Sequence, residues 1–134
     1  MQKSISAHVN IKNPEYWGYC YLESISSFAK FCDEVIVVDG GSTDESLNKI
    51  RALPFKNIKI VYYEWPDDWS WEQLGKSMNY GLSQCTGDYC IRFDCDYVFH
   101  DKDIYRLLGT FDLFEKKGNQ EAIAFSLVKM NLIQ

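Results

Sequence analysis

The stretch Val35-Ile36-Val37-Val38-Asp39-Gly40-Gly41-Ser42-Thr43-Asp44-Glu45 decides the fold. Four β-branched residues in succession make a strand that is apolar on both faces, as required of a strand covered on both sides in the middle of a parallel sheet. Asp39-Gly40-Gly41 ends that strand. Ser42 and Glu45 then spell a capping box for a helix through about Ala52, with Leu47 and Ile50 inward and Pro54 beyond its end. Upstream, Ser4–Val9 reads as another strand. Asn13 and Pro14 predict a cap and first-turn proline for a helix carrying Trp17, Cys20, Tyr21, Ile25, Phe28 and Cys32 on one stripe. Downstream the unit recurs, with a strand over Ile58–Tyr63 and a loop over Glu64–Trp69. Ser70 and Gln73 form a second capping box, before a helix with Trp71, Leu74, Met78, Leu82 and Cys85 in register. Thr86-Gly87-Asp88 closes that helix, and Tyr89–Phe93 is a fourth strand ending in Asp94-Cys95-Asp96. Asp101 caps a helix with Ile104, Leu107, Leu108 and Phe111 inward, and Ala122–Val128 reads as a last strand. Strands alternating with helices predict an α/β fold: a three-layer α/β/α sandwich with a mainly parallel sheet.

The chain has 134 residues, the size of a single domain, and we expect one domain over 1–134. Its 14 Lys and Arg against 19 Asp and Glu give a net charge of -5, which argues against nucleic acid as a partner. No apolar run has the length of a membrane span, and the N-terminus lacks the pattern of a signal peptide; the expectation is a cytoplasmic protein. Five cysteines without a C-x-x-C pair then read as reduced thiols. Cys85, Cys90 and Cys95 are evenly spaced, but Cys90 and Cys95 stand at an odd offset in one strand region and face opposite ways, which opposes a shared metal.

In a parallel sheet the ligand crevice lies outside the carboxyl ends of the strands. Those ends carry His8, Val9 and Asn10, then Asp39, then Glu64 and Trp65, then Asp94 and Asp96. Carboxylates gathered on one rim repel, and a cation or polar ligand relieves that repulsion. Asp94 and Asp96, two residues apart, offer hard oxygens to Mg²⁺ or Mn²⁺; alone, they read equally well as turn and cap residues. Gly40-Gly41 lacks the residues of a phosphate loop and reads as a tight turn. Trp65, Trp69 and Trp71 are open to stacking on a base or sugar or to packing, with Trp71 placed in the core by its stripe. His8 reads as structural and His100 as a surface residue.

The segment Gly87-Asp88-Tyr89-Cys90-Ile91-Arg92-Phe93-Asp94-Cys95-Asp96, taken with Val37–Ser46, resembles the family 2 glycosyltransferases of the GT-A fold. In that family a strand ends in V-D-x-G-S-T-D, a helix carries N-x-G, and G-D-Y-x-x-x-x-D-x-D follows. Asn79-Tyr80-Gly81 supplies the middle element, and the likeness runs from about Ser4 to Asp103. It implies a nucleoside-diphosphate sugar as partner, a UDP-sugar by preference, with transfer to an acceptor hydroxyl and inversion. It implies a divalent cation, Mn²⁺ or Mg²⁺, on Asp96 and Asp94. Asp94 would meet the ribose or a metal-bound water, Asp39 the nucleobase, and Asn10 and Cys95 would line the donor site. His8 and Asn10 stand where the family has P-x-Y-N, and Met78 stands where it often has a basic residue. The family's general base comes from an acceptor half that this length does not accommodate, so no residue is nominated for it. The alternative is a truncated or degenerate module that binds a nucleotide or a partner without catalysis.

Overall fold

The computed structural model describes residues 3–116; the strand expected over Ala122–Val128 lies outside them. Four parallel strands form the sheet, β1 (Ile5–Ile11), β2 (Glu34–Asp39), β3 (Ile58–Tyr62) and β4 (Tyr89–Arg92), in the order β3-β2-β1-β4. They alternate with α1 (Tyr21–Ala29), α2 (Ser46–Arg51) and α3 (Trp71–Gln84), so the α/β expectation holds. The chain divides into two units after Asp101. The described part of the second contains α4 (Ile104–Lys116), whose buried Leu107 and Phe111 are four residues apart on one face.

Val35 to Val38 are all buried, as a strand apolar on both faces requires. Strand β1 is buried too, but by two kinds of neighbour. Ile5, Ala7, Val9 and Ile11 point to one face and Ser6, His8 and Asn10 to the other, because side chains alternate along a strand. The polar face lies under α3, where Asn10 Nδ2 donates to Ser77 Oγ at 2.5 Å. Immediately after β4, Phe93 stacks on Phe28 of α1 with ring centroids 3.9 Å apart, while Cys90 of β4, at an odd offset from it, meets Cys85 at the end of α3. Helices α1 and α3 therefore cover opposite faces.

Three expected elements differ from what the structure shows. The helix expected from Asn13 begins only at Tyr21. Asn13 adopts a left-handed conformation with φ of 52°, and its Oδ1 accepts from the amides of Thr43 and Asp44, so it serves the neighbouring loop instead of capping a helix. A single turn follows, ending at Gly18 with φ of 73°, and Trp17 and Cys20 fall outside the core stripe. The stripe that remains is Tyr21, Ile25, Phe28 and Cys32, all buried.

Helix α2 likewise starts at Ser46, not after a Ser42 cap. Ser42 Oγ accepts from the Asn13 amide, and Asp44 Oδ1 takes the Ser46 amide in its place. The expected register of α3 is rotated. Ser70 caps it, accepting from the Gln73 amide, but Trp71 is 77% exposed, Leu82 is also exposed, and the buried residues are Ser77 and Gly81. A helix lying close over a polar sheet face needs small side chains there. A Cβ on Gly81 would meet His8 Nδ1 at 2.7 Å and Val38 Cγ2 at 3.1 Å, whereas one on Gly75 would meet nothing within 4 Å.

Gly81→Ala is accordingly expected to destabilise the protein by roughly 1–3 kcal/mol in urea unfolding, through overpacking. Gly75→Ala, on the same helix, should stabilise it by roughly 0.5–1 kcal/mol, since only helix propensity changes. Equal effects at the two positions would contradict the close approach of α3.

His8 is 4% exposed, and its Nδ1 has no hydrogen-bond partner among the described residues. Burial, and then the charge of Arg92, lower its pKa from 6.5 to about 4. The unfolded chain therefore binds a proton from about pH 6.5 downward that the folded chain refuses until about pH 4. Stability should fall on acidification across that window, by on the order of 2–3 kcal/mol, and the His8 contribution levels off below it. Chemical denaturation between about pH 7 and pH 5, where few carboxylates titrate, reads this slope, and His8→Asn should flatten it.

Candidate functional site

The chain runs β1, β2, β3 outward in one direction and returns to place β4 on the other side of β1. The crevice of such a sheet opens at this reversal, between the carboxyl ends of β1 and β4. A pocket of about 720 Å³ lies there, floored by Asn10, Lys12, Arg92, Asp94, Cys95 and Asp96 and walled by Trp17, Trp65 and Trp71.

Each functional side chain has a local reason for its position. The turn after β4 is tied to α1: the buried Ser24 Oγ donates to the carbonyls of Asp94 and Tyr97, at 3.2 and 2.5 Å, and the Tyr97 amide returns to the Asp94 carbonyl at 2.9 Å. Phe93, stacked on Phe28, anchors the residue before the acidic pair. The two carboxylates then differ. Asp94 Oδ1 is 2.7 Å from Arg92 Nη2, and its carboxylate also accepts from the Tyr97 hydroxyl, which raises the pKa of Tyr97. For the Asp96 carboxylate, no hydrogen bond or ion pair is present among the described residues, and the residue is exposed. Between them, burial and the flanking carboxylates push the Cys95 thiol up to about 11, so it remains protonated and is no nucleophile at neutral pH.

On the β1 side, Lys12 Nζ donates to the Trp65 carbonyl at 2.8 Å and lies 3.8 Å from Asp67 Oδ1, holding the loop after β3 against the end of β1. Trp65 also closes on the β2 turn: its amide donates to the Gly40 carbonyl, and a Cβ on Gly40 would meet Trp65 Cβ at 2.6 Å. Gly41, at φ of 108°, supplies the left-handed step of that turn.

Of the residues singled out from sequence, Asn10, Asp94, Cys95 and Asp96 are brought together in the pocket. Asp39 is not. It is 4% exposed, and its carboxylate accepts from the amides of Gly41 and Ser42 at 3.1–3.2 Å, stabilising the β2 turn. Trp71, expected in the core, stands on the pocket wall instead. Lys12, Asn13, Trp17 and Arg92 were not singled out as site residues. The available signal was Arg92 itself: two residues before Asp94 on one strand end, it shares that residue's face. Among the described residues, no three His, Cys, Asp or Glu side chains converge on a common metal position, so a cation at this pocket would need oxygens from a ligand.

Residues 21–123 match the family model described as glycosyl transferase family 2. The chain belongs to that family. Among solved structures it is similar to the first 349 residues of TarS from S. aureus, at 25% identity and a TM-score of 0.67, over 84% of this chain and 33% of that one. The longer TarS structure gives 26% identity and a TM-score of 0.65, over 84% and 20%. Glucosyl-3-phosphoglycerate synthase from Mycobacterium tuberculosis, solved with Mn²⁺, uridine diphosphate and glucosyl-3-phosphoglycerate, shares the fold at 24% identity and a TM-score of 0.56, over 81% and 39%. No curated protein sequence matches the chain. The fold is of the GT-A type, and this member of family 2 spans a third or less of the TarS structures it resembles. No helix among the described residues is long and apolar enough to cross a membrane.

Asn13 bridges the end of β1 to the loop before α2 through one side-chain oxygen. Asn13→Ala should cost about 2 kcal/mol, because it orphans the Thr43 and Asp44 amides and places alanine at positive φ. Asn13→Asp, which retains the acceptor and tolerates that conformation, should lose less than half as much. Thermal unfolding of the two variants compares them directly.

Proposed function

We propose that this chain is the donor-binding domain of a metal-dependent glycosyltransferase that takes a nucleoside-diphosphate sugar, a UDP-sugar by preference, and passes the sugar to an acceptor hydroxyl with inversion. The single observation that carries the reading is the pocket at the β1–β4 reversal, where Asp94 is held by Arg92 while the Asp96 carboxylate has no partner among the described residues. Two hard carboxylates of which one is uncommitted suit Mg²⁺ or Mn²⁺, which binds through one or two carboxylates and completes its shell with phosphate and water oxygens. Asp96 is the proposed metal contact, and Asp94 contributes either to the metal shell or to the ribose. When bound, the cation stabilises negative charge developing on the departing diphosphate.

The chain's own groups bind and orient. Asn10, fixed by Ser77, presents its remaining amide valences to the pocket, and Lys12 and Arg92 supply cations at its floor. Trp17, 66% exposed, and Trp71 offer flat faces for a base or a sugar ring. Asp39 enters the proposal as the nucleobase contact of the β2 turn behind Trp65: its carboxylate accepts from the Gly41 and Ser42 amides and keeps lone pairs for a base N–H.

A second reading, a module that binds nucleotide without turning it over, is favoured by one observation. The acidic side chains lining the pocket are Asp94 and Asp96 alone among the described residues, so neither of the proposed donor ligands leaves a spare carboxylate to act as general base.

Thermal unfolding with UDP, GDP and dTDP, each with and without Mn²⁺, tests the donor site. We expect UDP with Mn²⁺ to stabilise the protein by about 2.7 kcal/mol at a concentration near 100 times Kd. Asp96→Asn should abolish the metal-dependent part while leaving the unliganded melting temperature unchanged. Retained Mn²⁺ dependence in that variant removes Asp96 from the site, and stabilisation by UDP without donor hydrolysis or transfer selects the second reading.

A further inference from the structure

We propose that Cys85 and Cys90 form a reactive dithiol that takes a low-molecular-weight disulfide as co-reactant and closes into an intramolecular disulfide joining the end of α3 to β4. Neither residue lines the pocket described above, so the inference is independent of the proposed function.

The geometry is specific. The Sγ atoms lie 2.7 Å apart, with Cys90 donating and Cys85 accepting, against about 2.05 Å in a formed disulfide. Cys85 is the C-cap of α3, with extended backbone, and its thiol also approaches the Gly81 carbonyl at 3.4 Å. The intervening turn is pinned to β1. The Gly87 amide donates to Ser6 Oγ at 2.7 Å, the Asp88 carboxylate accepts from the Ser4 amide and hydroxyl, and the Tyr89 amide donates to the Ser4 carbonyl. A Cβ on Gly87 would meet the Ser6 amide at 2.8 Å, so the turn has little room to shift. These contacts hold the two thiols together through the β1–β4 pairing and do not leave the encounter to chance. Both residues are partly exposed.

The pair also divides its labour. The Cys90 hydrogen bond lowers the pKa of Cys85, while the same bond and burial raise that of Cys90; the Glu34 carboxylate opposes ionisation of both. Elsewhere burial keeps Cys32 as a thiol, pushed up to about 12. Cys85 is therefore the attacking group and Cys90 the resolving one.

The Cys85 thiolate attacks one sulfur of the small disulfide, whose S–S bond breaks and whose other half leaves as a thiolate that takes a proton. Cys90 then loses its proton to solvent and attacks the Cys85 sulfur, expelling the second half as a thiol. Two protein thiols are oxidised to one disulfide, and one small disulfide is reduced to two thiols.

The test is incubation of the folded chain with oxidised glutathione, followed by acid quenching, alkylation and peptide mapping. The five titratable thiols should fall to three, with Cys85 and Cys90 in one linked peptide. Cys90→Ser should stop at a glutathionyl adduct on Cys85, and Cys85→Ser should leave Cys90 unmodified. Five remaining thiols, a wild-type adduct that does not close, or a bridge involving Cys20, Cys32 or Cys95 in place of this pair would each overturn the proposal. The wild-type map decides the matter even where a variant fails to fold.

Discussion

Strand β1 pairs with β2 as far as Ile11 opposite Asp39, but with β4 only as far as His8 opposite Arg92, and the site depends on that difference. The last bond on the β4 side is the Phe93 amide to the His8 carbonyl. Beyond it the two strands separate, and backbone groups that would otherwise continue the ladder must be satisfied elsewhere. On the β4 side Ser24 of α1 takes the Asp94 carbonyl. On its other side β1 stays paired one step longer, the Gly40 amide donating to the Ile11 carbonyl, before Asn13 leaves the strand conformation altogether. The crevice is thus a consequence of sheet topology, opened where β1 and β4 part while β1 and β2 remain paired.

The same strand explains how α3 sits. A buried strand with Ser6, His8 and Asn10 on one face cannot be covered by a leucine-rich helix without stranding polar atoms. Ser77 answers Asn10, Gly81 gives room to the His8 ring, and the Glu34 carboxylate accepts Ser6 Oγ at 2.6 Å. Hydrophobic periodicity picks out Trp71, Leu74, Met78 and Leu82 because it assumes that the covering partner is apolar. On α1, facing the apolar side of the sheet, the assumption is sound, and Tyr21, Ile25 and Phe28 are buried as their spacing indicates. The two helices follow one principle with different partners, and the strand's alternation identifies which face each one covers.

Legibility of the site follows the same division between local and distant causes. Asp94 and Asp96 are local, adjacent on a strand end, and their pattern is visible in ten residues of sequence. The Gly-Gly turn is local as well, although Ser42 proves to be a partner of Asn13 and not a helix cap. What spacing does not reveal is the contact between segments 30 or more residues apart, such as Asn13 with Thr43 and Asp44, Lys12 with Trp65, or Ser24 with the turn after β4. Asn-Pro is a helix-start signal in isolation. Here the asparagine finds two orphan amides on a neighbouring loop, and satisfying them outweighs the local preference.

Charge at the pocket sharpens the case for a cation. Its lining holds two formal positive charges, Lys12 and Arg92, and two negative ones, Asp94 and Asp96, which cancel. Arg92 is moreover paired with Asp94, and Lys12 lies 3.8 Å from Asp67 Oδ1, so part of each positive charge is already offset, although both keep N–H donors to spare. A nucleoside diphosphate, the ligand proposed for this site, would meet no net attraction from these four side chains, and a phosphate near Asp96 would be repelled by it. That repulsion is relieved if a divalent ion arrives with the ligand, because the ion then converts the uncommitted carboxylate from an obstacle into a ligand. Under the proposed function, an aspartate paired with Arg92 beside one that has no partner among the described residues would favour nucleotide and metal together over either alone.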